Sequence, residues 1–141
     1  MSRLRANILC DFAQVRDGVL IVASGGITRI SAPAVPFRHL LHLAFIIEVG
    51  PDELDQVHEL RVGLKANNSV TVLLDSLFAF TPTGSPGQFP GEATQFSLAV
   101  KIDALFLEWG AYDLSVTLDD QPEMPLTFWL VDVANSERPS S

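Results

Sequence analysis

The sequence predicts an all-β domain: an antiparallel β-sandwich of about eight strands, immunoglobulin-like or jelly-roll. Three observations carry that expectation. Apolar residues recur with a period of two over several segments, which is the pattern of strands with one buried and one wet face. Turn-forming residues interrupt those segments at short spacing. No stretch combines a helical period with caps, and no internal repeat or heptad is present.

The first element is a strand in which Ala6, Ile8, Cys10 and Phe12 alternate with more polar neighbours, so Cys10 is expected on the core face. Asp17-Gly18 supplies the positive φ angles of a two-residue turn, and residues 19–23 return as the second arm of a hairpin. Gly25-Gly26 comes next. Glycine loops that cradle phosphate sit between a strand and a helix N-terminus, where free N–H groups meet the anion. Here "ITRISAPAVP" follows, with β-branched residues and prolines instead of a helix, and the other residues of the phosphate fingerprints are missing. The pair therefore reads as a bend that carries the chain from one sheet to the other.

Residues 40–49 and 70–80 are apolar on both sides, which fits central strands or buried helix; their β-branched and phenylalanine content and the absence of helix caps favour strands. Clean alternation returns at 58–65, with His58, Leu60, Val62 and Leu64 facing inward. It appears again at 95–103, with Phe96, Leu98, Val100 and Ile102 inward, and at 111–118, with Tyr112, Leu114, Val116 and Leu118 inward. Breaks fall at "APAVP", "GPDELD", Asn67-Asn68, "TPTGSPGQFPGE", Trp109-Gly110 and "DDQP". The run "GAYDLSV" places Tyr112 where immunoglobulin-like sandwiches use a tyrosine whose hydroxyl bonds back to the backbone. The expected domain covers residues 1–134, with a disordered tail at 135–141.

At 141 residues the chain needs no disulfide or metal to bury a core. Its composition is 48% apolar, with a formal net charge of −8. Such a charge repels phosphate backbones and anionic membrane surfaces, so neither nucleic acid nor membrane is an expected partner. A single cysteine, and a start without the long apolar core of a signal peptide, suggest a cytoplasmic bacterial protein.

Side chains with chemistry are few, and each has a structural reading beside it. Cys10 lacks a motif tying it to a histidine, and Ser24 lacks the nucleophile-elbow pattern. His39 and His42 are three apart, so on one strand they face opposite sides, and His58 reads as a core-edge histidine bonded to backbone. Carboxylates gather in two loops, Asp52, Glu53 and Asp55 in one, Asp119 and Asp120 in the other. They are weak candidates for calcium because no ordered ligand spacing accompanies them. Aromatic residues in or near loops, Phe89, Phe106 and Trp109, are the candidates for contact with a partner. Phe89 is equally readable as a plug over the core edge, and that reading is slightly favoured.

Residues 6–30, "ANILCDFAQVRDGVLIVASGGITRI", together with the later "GxYxLxV" of residues 110–116, resemble a small uncharacterised bacterial family, a domain of unknown function. The resemblance implies a β-sandwich and brings no activity or catalytic residue with it. Absent catalytic motifs and abundant apolar residues make a non-enzymatic binding or assembly module the leading expectation, with a protein partner or a second copy of the chain and no cofactor. The alternatives are a small-ligand or calcium-binding sandwich using the acidic loops, and an enzyme of unrecognised type centred on His39, His42 or Cys10.

Overall fold

The structure, a computed structural model, describes residues 2–84 and 87–136, and side chains as far as residue 134. In chain order the strands are β1 (Arg3–Arg16), β2 (Val19–Gly25), β3 (Arg29–Ala32), β4 (Phe37–Val49), β5 (His58–Ala66), β6 (Val72–Phe80), β7 (Thr94–Phe106), β8 (Gly110–Leu118) and β9 (Met124–Asp132). A helical turn, Val133–Ser136, follows, and the rest of the expected tail lies outside the described residues. Sheet I has the order β2-β1-β4-β7, and sheet II the order β3-β9-β8-β5-β6. Every pairing is antiparallel except the short parallel ladder of β3 on β9.

The expected sandwich is thus present, and its neighbours decide between the two topologies. The runs β1-β4-β7 and β5-β8-β9 reproduce the A-B-E and C-F-G runs of the immunoglobulin arrangement. No helix among the described residues is long and apolar enough to cross a membrane.

The main core lies between the sheets. Leu41, Leu43, Phe45, Ile47 and Val49 of β4 face Leu60, Val62 and Leu64 of β5 and Leu114 and Val116 of β8, all at most 1% exposed. Aromatic contacts bind the two sheets near both ends. At one end Phe106 of β7 meets Tyr112 edge-on at 4.8 Å and Phe128 at 5.9 Å. At the other, Phe96 of β7 stacks on Phe80 of β6 at 4.9 Å, and Phe80 stacks on His58 at 5.7 Å.

The turn Asp17-Gly18 has φ of 50° and 75°, as a two-residue hairpin with two left-handed positions requires. The Gly25-Gly26 pair ends β2 in sheet I, and the chain re-emerges as β3 in sheet II. A Cβ at Gly25 would stand 3.1 Å from Ile8 Cγ2 and from Val22 Cγ1, so a side chain there would press on both and force them to give way by a few tenths of an ångström. Gly26, at φ +82°, and Ile27 both donate their N–H to the Leu9 carbonyl, at 2.9 and 3.0 Å. Those bonds anchor the change of sheet.

Two expectations are corrected. Cys10 is buried, but not in the main core, where Leu9 points instead. It belongs to a second apolar cluster with Ala13 and Ala44, against which Ile8, Leu20, Val22 and Ala99 pack. Strand β2 comes into contact with β7 although β1 and β4 separate them in the sheet, so the hairpin leans over the outer face of sheet I. Both faces of β1 are therefore covered around Leu9 and Cys10, and alternation alone could not say which is the main core. Residues 70–80 are the second correction. Strand β6 is an edge strand, not a central one, with Val72, Leu73 and Leu77 exposed.

Tyr112 is 2% exposed, and its hydroxyl donates to the Glu108 carbonyl at 2.6 Å. This is the corner expected from the sequence. Tyr112→Phe leaves that carbonyl without this donor and should lower stability by about 1–2 kcal/mol. Urea unfolding checks this: the midpoint should fall with an unchanged slope, and an unmoved midpoint would show that the bond contributes nothing net.

Candidate functional site

The histidines, the thiol and the acidic loops were the candidates for chemistry. His39 and His42 lie on opposite faces of β4, as alternation requires. His39 stacks on Phe37 at 5.6 Å, and His42 tilts against Phe12 at 6.0 Å. Burial lowers the pKa of His39 and raises that of the Cys10 thiol, so neither group is poised as a cation or a thiolate. Cys10 Sγ faces the His42 carbonyl at 3.5 Å. Ser24 has φ of 53° at the end of β2, where the next element is a strand and not the helix of a nucleophile elbow. Among the described residues no group of three His, Cys, Asp or Glu side chains is placed to hold a metal ion.

The acidic loops do meet at one end of the sandwich, but around a histidine. His58, whose side chain is 5% exposed, places Nδ1 2.8 Å from Asp119 Oδ2 and Nε2 2.8 Å from the Glu53 carbonyl. A carboxylate and a carbonyl only accept, so satisfying both asks for a proton on each ring nitrogen. Asp119 Oδ1 also accepts the Glu59 N–H at 2.9 Å, and the Asp119 N–H returns to the Glu59 carbonyl at 2.8 Å. Nearby, Asp55 N donates to the Pro82 carbonyl at 2.8 Å, and Ser2 Oγ donates to Glu53 Oε2 at 3.1 Å. Asp52 and Asp120 are exposed. The expected backbone bond of His58 is present, and the Asp119 partnership is an addition that sequence reasoning missed. Burial disfavours the imidazolium most, but the bonds to Asp119 and to the Glu53 carbonyl outweigh it and raise its pKa.

Of the three aromatic candidates, Phe106 is removed. Its side chain is fully buried, because the alternation of β7 runs on through residue 106 and turns it inward with Ala104 and Ile102. The plug reading of Phe89 is also corrected: the side chain is 76% exposed. Its loop holds itself through Phe89 N to Glu92 Oε2 at 2.8 Å and Gln88 Nε2 to Thr94 Oγ1 at 2.7 Å, bonds that leave the ring in solvent.

Trp109 remains a surface residue, and the structure adds Trp129. In β9, Phe128 and Leu130 point into the core, so Trp129 between them points out, 52% exposed. It pairs in register with Ala111 of β8 on one side and Arg29 of β3 on the other. Trp109, 38% exposed, sits on the turn that the Tyr112–Glu108 bond fastens. The tryptophans and Gly110 line two adjoining hollows. One, of about 350 Å³, also has Arg29 and Asp132. The other, of about 370 Å³, has Asn67, Asn68, Ser69 and Glu108. Gly110, at φ +123°, adopts a backbone that a side chain would strain. The ridge offers two indole faces, a guanidinium, amides, a hydroxyl and two carboxylates, which suits burial and hydrogen bonding.

Residues 5–130 match the model of a family described as "Family of unknown function (DUF6941)". The chain belongs to this family. The resemblance drawn from residues 6–30 and 110–116 to an uncharacterised family agrees with that membership, which assigns no activity. Two solved structures of a β-glucosidase from Listeria innocua, one with glucose and one with gluconolactone, are similar at 9% and 10% identity, with TM-scores of 0.48 and 0.44. They cover 92% and 73% of this chain, which spans only 16% and 14% of theirs. A likeness so distant brings no function to DUF6941. No curated protein matches the sequence.

The histidine end yields a pH prediction. A raised folded pKa means that the stabilisation from His58 is complete below the ordinary histidine value of 6.5 and is lost as pH rises through the higher folded value. Denaturant midpoints measured from pH 6 upward should therefore fall across that window. Asp119→Asn should lower the midpoint and flatten the profile; the same slope in both proteins would place the titration elsewhere.

Proposed function

We propose that this member of DUF6941 is a non-enzymatic binding module of a bacterial cytoplasm, docking a second copy of itself or another protein on the Trp109–Trp129 ridge. The observation that supports the reading is the exposure of both indoles on the same two hollows, with Arg29 alongside. Tryptophan and arginine are the side chains that most often dominate binding energy at protein interfaces. A large apolar side chain held in water on a strand gains free energy when a partner covers it, at about 25 cal/mol per Å². Trp129 stands on a strand and Trp109 on a turn fastened by Tyr112, so little backbone order is lost on docking. With a net charge of −8, a partner with a basic or neutral surface approaches fastest. Phe89, on its own loop, is a secondary anchor.

Light scattering on the protein isolated from its own cells, as wild type, Trp109→Ala and Trp129→Ala, tests the proposal. The wild type should have a mass above that of one chain. Each variant should lose most of the assembled species while its unfolding free energy changes by no more than about 0.5 kcal/mol, as for other surface truncations. A monomeric wild type with nothing attached, or assembly untouched in both variants, would sink it.

A further inference from the structure

The outer face of sheet II has one more feature. Strand β5 is central, yet it carries Gly63 at an outward position, between Arg61 and Lys65. A glycine in a strand interior weakens the strand and often marks close approach by another group. Its backbone is not left-handed, so conformation does not require glycine there. A Cβ would meet only the Leu74 carbonyl oxygen at 3.8 Å and Ser115 Cβ at 4.0 Å, which are ordinary contacts. What the missing side chain leaves is space, a hollow of about 250 Å³ bordered by Arg61, Lys65, Asp75, Ser115, Thr117 and Glu123.

The hollow is bordered by two cations, Arg61 and Lys65, and two carboxylates, Asp75 and Glu123, which are not all paired with one another. Glu123 Oε2 accepts the Ser115 hydroxyl at 2.7 Å. Asp75 stands 3.8 Å from Arg61, a loose and exposed pair. Asp113 is the residue opposite Lys65 in the ladder, but its oxygens accept from Asn67 Nδ2 at 3.0 Å and Thr127 Oγ1 at 2.7 Å, and no ion pair to Lys65 forms. Among the described residues no carboxylate lies within ion-pair distance of Lys65, although acidic residues outnumber basic ones 17 to 9. Lys65, half-buried as a residue, thus borders an open hollow beside a guanidinium and a hydroxyl.

We propose that the hollow over Gly63 is a carboxylate-binding site, in which Lys65 pairs with the ligand's carboxylate and Arg61 and Thr117 border it. Charge-assisted hydrogen bonds of that kind are about twice as strong as neutral ones, and the empty glycine position lets the carboxylate reach the sheet. The carboxylate is either the acidic side chain of a docked protein or a free small acid, and the site stands whether or not a protein uses the tryptophan ridge.

The test is a titration of the full chain by amide NMR with two probes, N-acetylglutamate α-amide and succinate. Saturable shifts are expected at Gly63, Lys65 and Ser115. Gly63→Val fills the hollow with a strand-forming side chain that the surroundings accept, and it should abolish the shifts. Lys65→Met keeps the stem without the charge and should weaken binding at least about tenfold, the equivalent of about 1.4 kcal/mol. Capped glutamate binding as tightly as succinate assigns the site to a protein's side chain; binding of succinate alone assigns it to a free small acid. No saturable shift with either probe, or shifts unchanged in both variants, overturns the proposal.

Discussion

The contact on which the rest of this sandwich depends is Phe106 of sheet I against Tyr112 and Phe128 of sheet II, at 4.8 and 5.9 Å. An edge-to-face set of this kind fixes both the distance between sheets and their offset. Strand alternation then carries the choice to every neighbour. With Phe106 inward, Leu105 and Leu107 must face out. With Tyr112 and Phe128 inward, Ala111, Asp113, Thr127 and Trp129 become the outer surface of sheet II. The tyrosine hydroxyl extends the constraint to the β7–β8 turn and so to Trp109. The proposed docking ridge is thus the outside of the same aromatic cluster that closes the inside.

The opposite end is closed by charge as well as by rings. His58 stacks on Phe80, and its nitrogens reach the β8–β9 turn and the segment before β5. Carboxylates that looked available for a metal are partly engaged in holding His58 and the backbone. The imidazolium form of His58 is favoured there because each ring nitrogen has an acceptor and the Asp119 carboxylate is held through Glu59. The two ends therefore differ in kind, one hydrogen-bonded shut and one presenting indoles to solvent.

Much of the architecture was legible because it rests on local rules. The hairpin at Asp17-Gly18 follows from a two-residue turn that needs two positive φ angles, and the observed values supply them. The glycine pair was readable as a sheet-changing bend because no helix follows it. The inward sets of β5, β7 and β8 follow from period two, and Tyr112 from its position at the start of a strand. The illegible parts involve a second surface. Cys10 was given the wrong cluster because a hairpin covers the far face of β1. Strand β6 looked central because its composition is apolar on both sides, and only the strand order shows it to be an edge. Trp129 had a signal in the alternation "LTFWL", but the direction of that alternation depends on which sheet lies behind it.

By itself, the sequence determined the all-β class, the turns, the parity of its clean strands and the corner tyrosine, because each depends on residues within a few positions of one another. Tertiary structure alone decided the immunoglobulin order and the exposure of Phe89. It alone joined His58 to Asp119 across 61 positions of chain. Lys65, likewise, stands opposite Asp113 in the ladder, yet Asp113 bonds to Asn67 and Thr127 and not to Lys65. Such pairings depend on which strands become neighbours, and a period of two is the same whichever neighbour a strand takes.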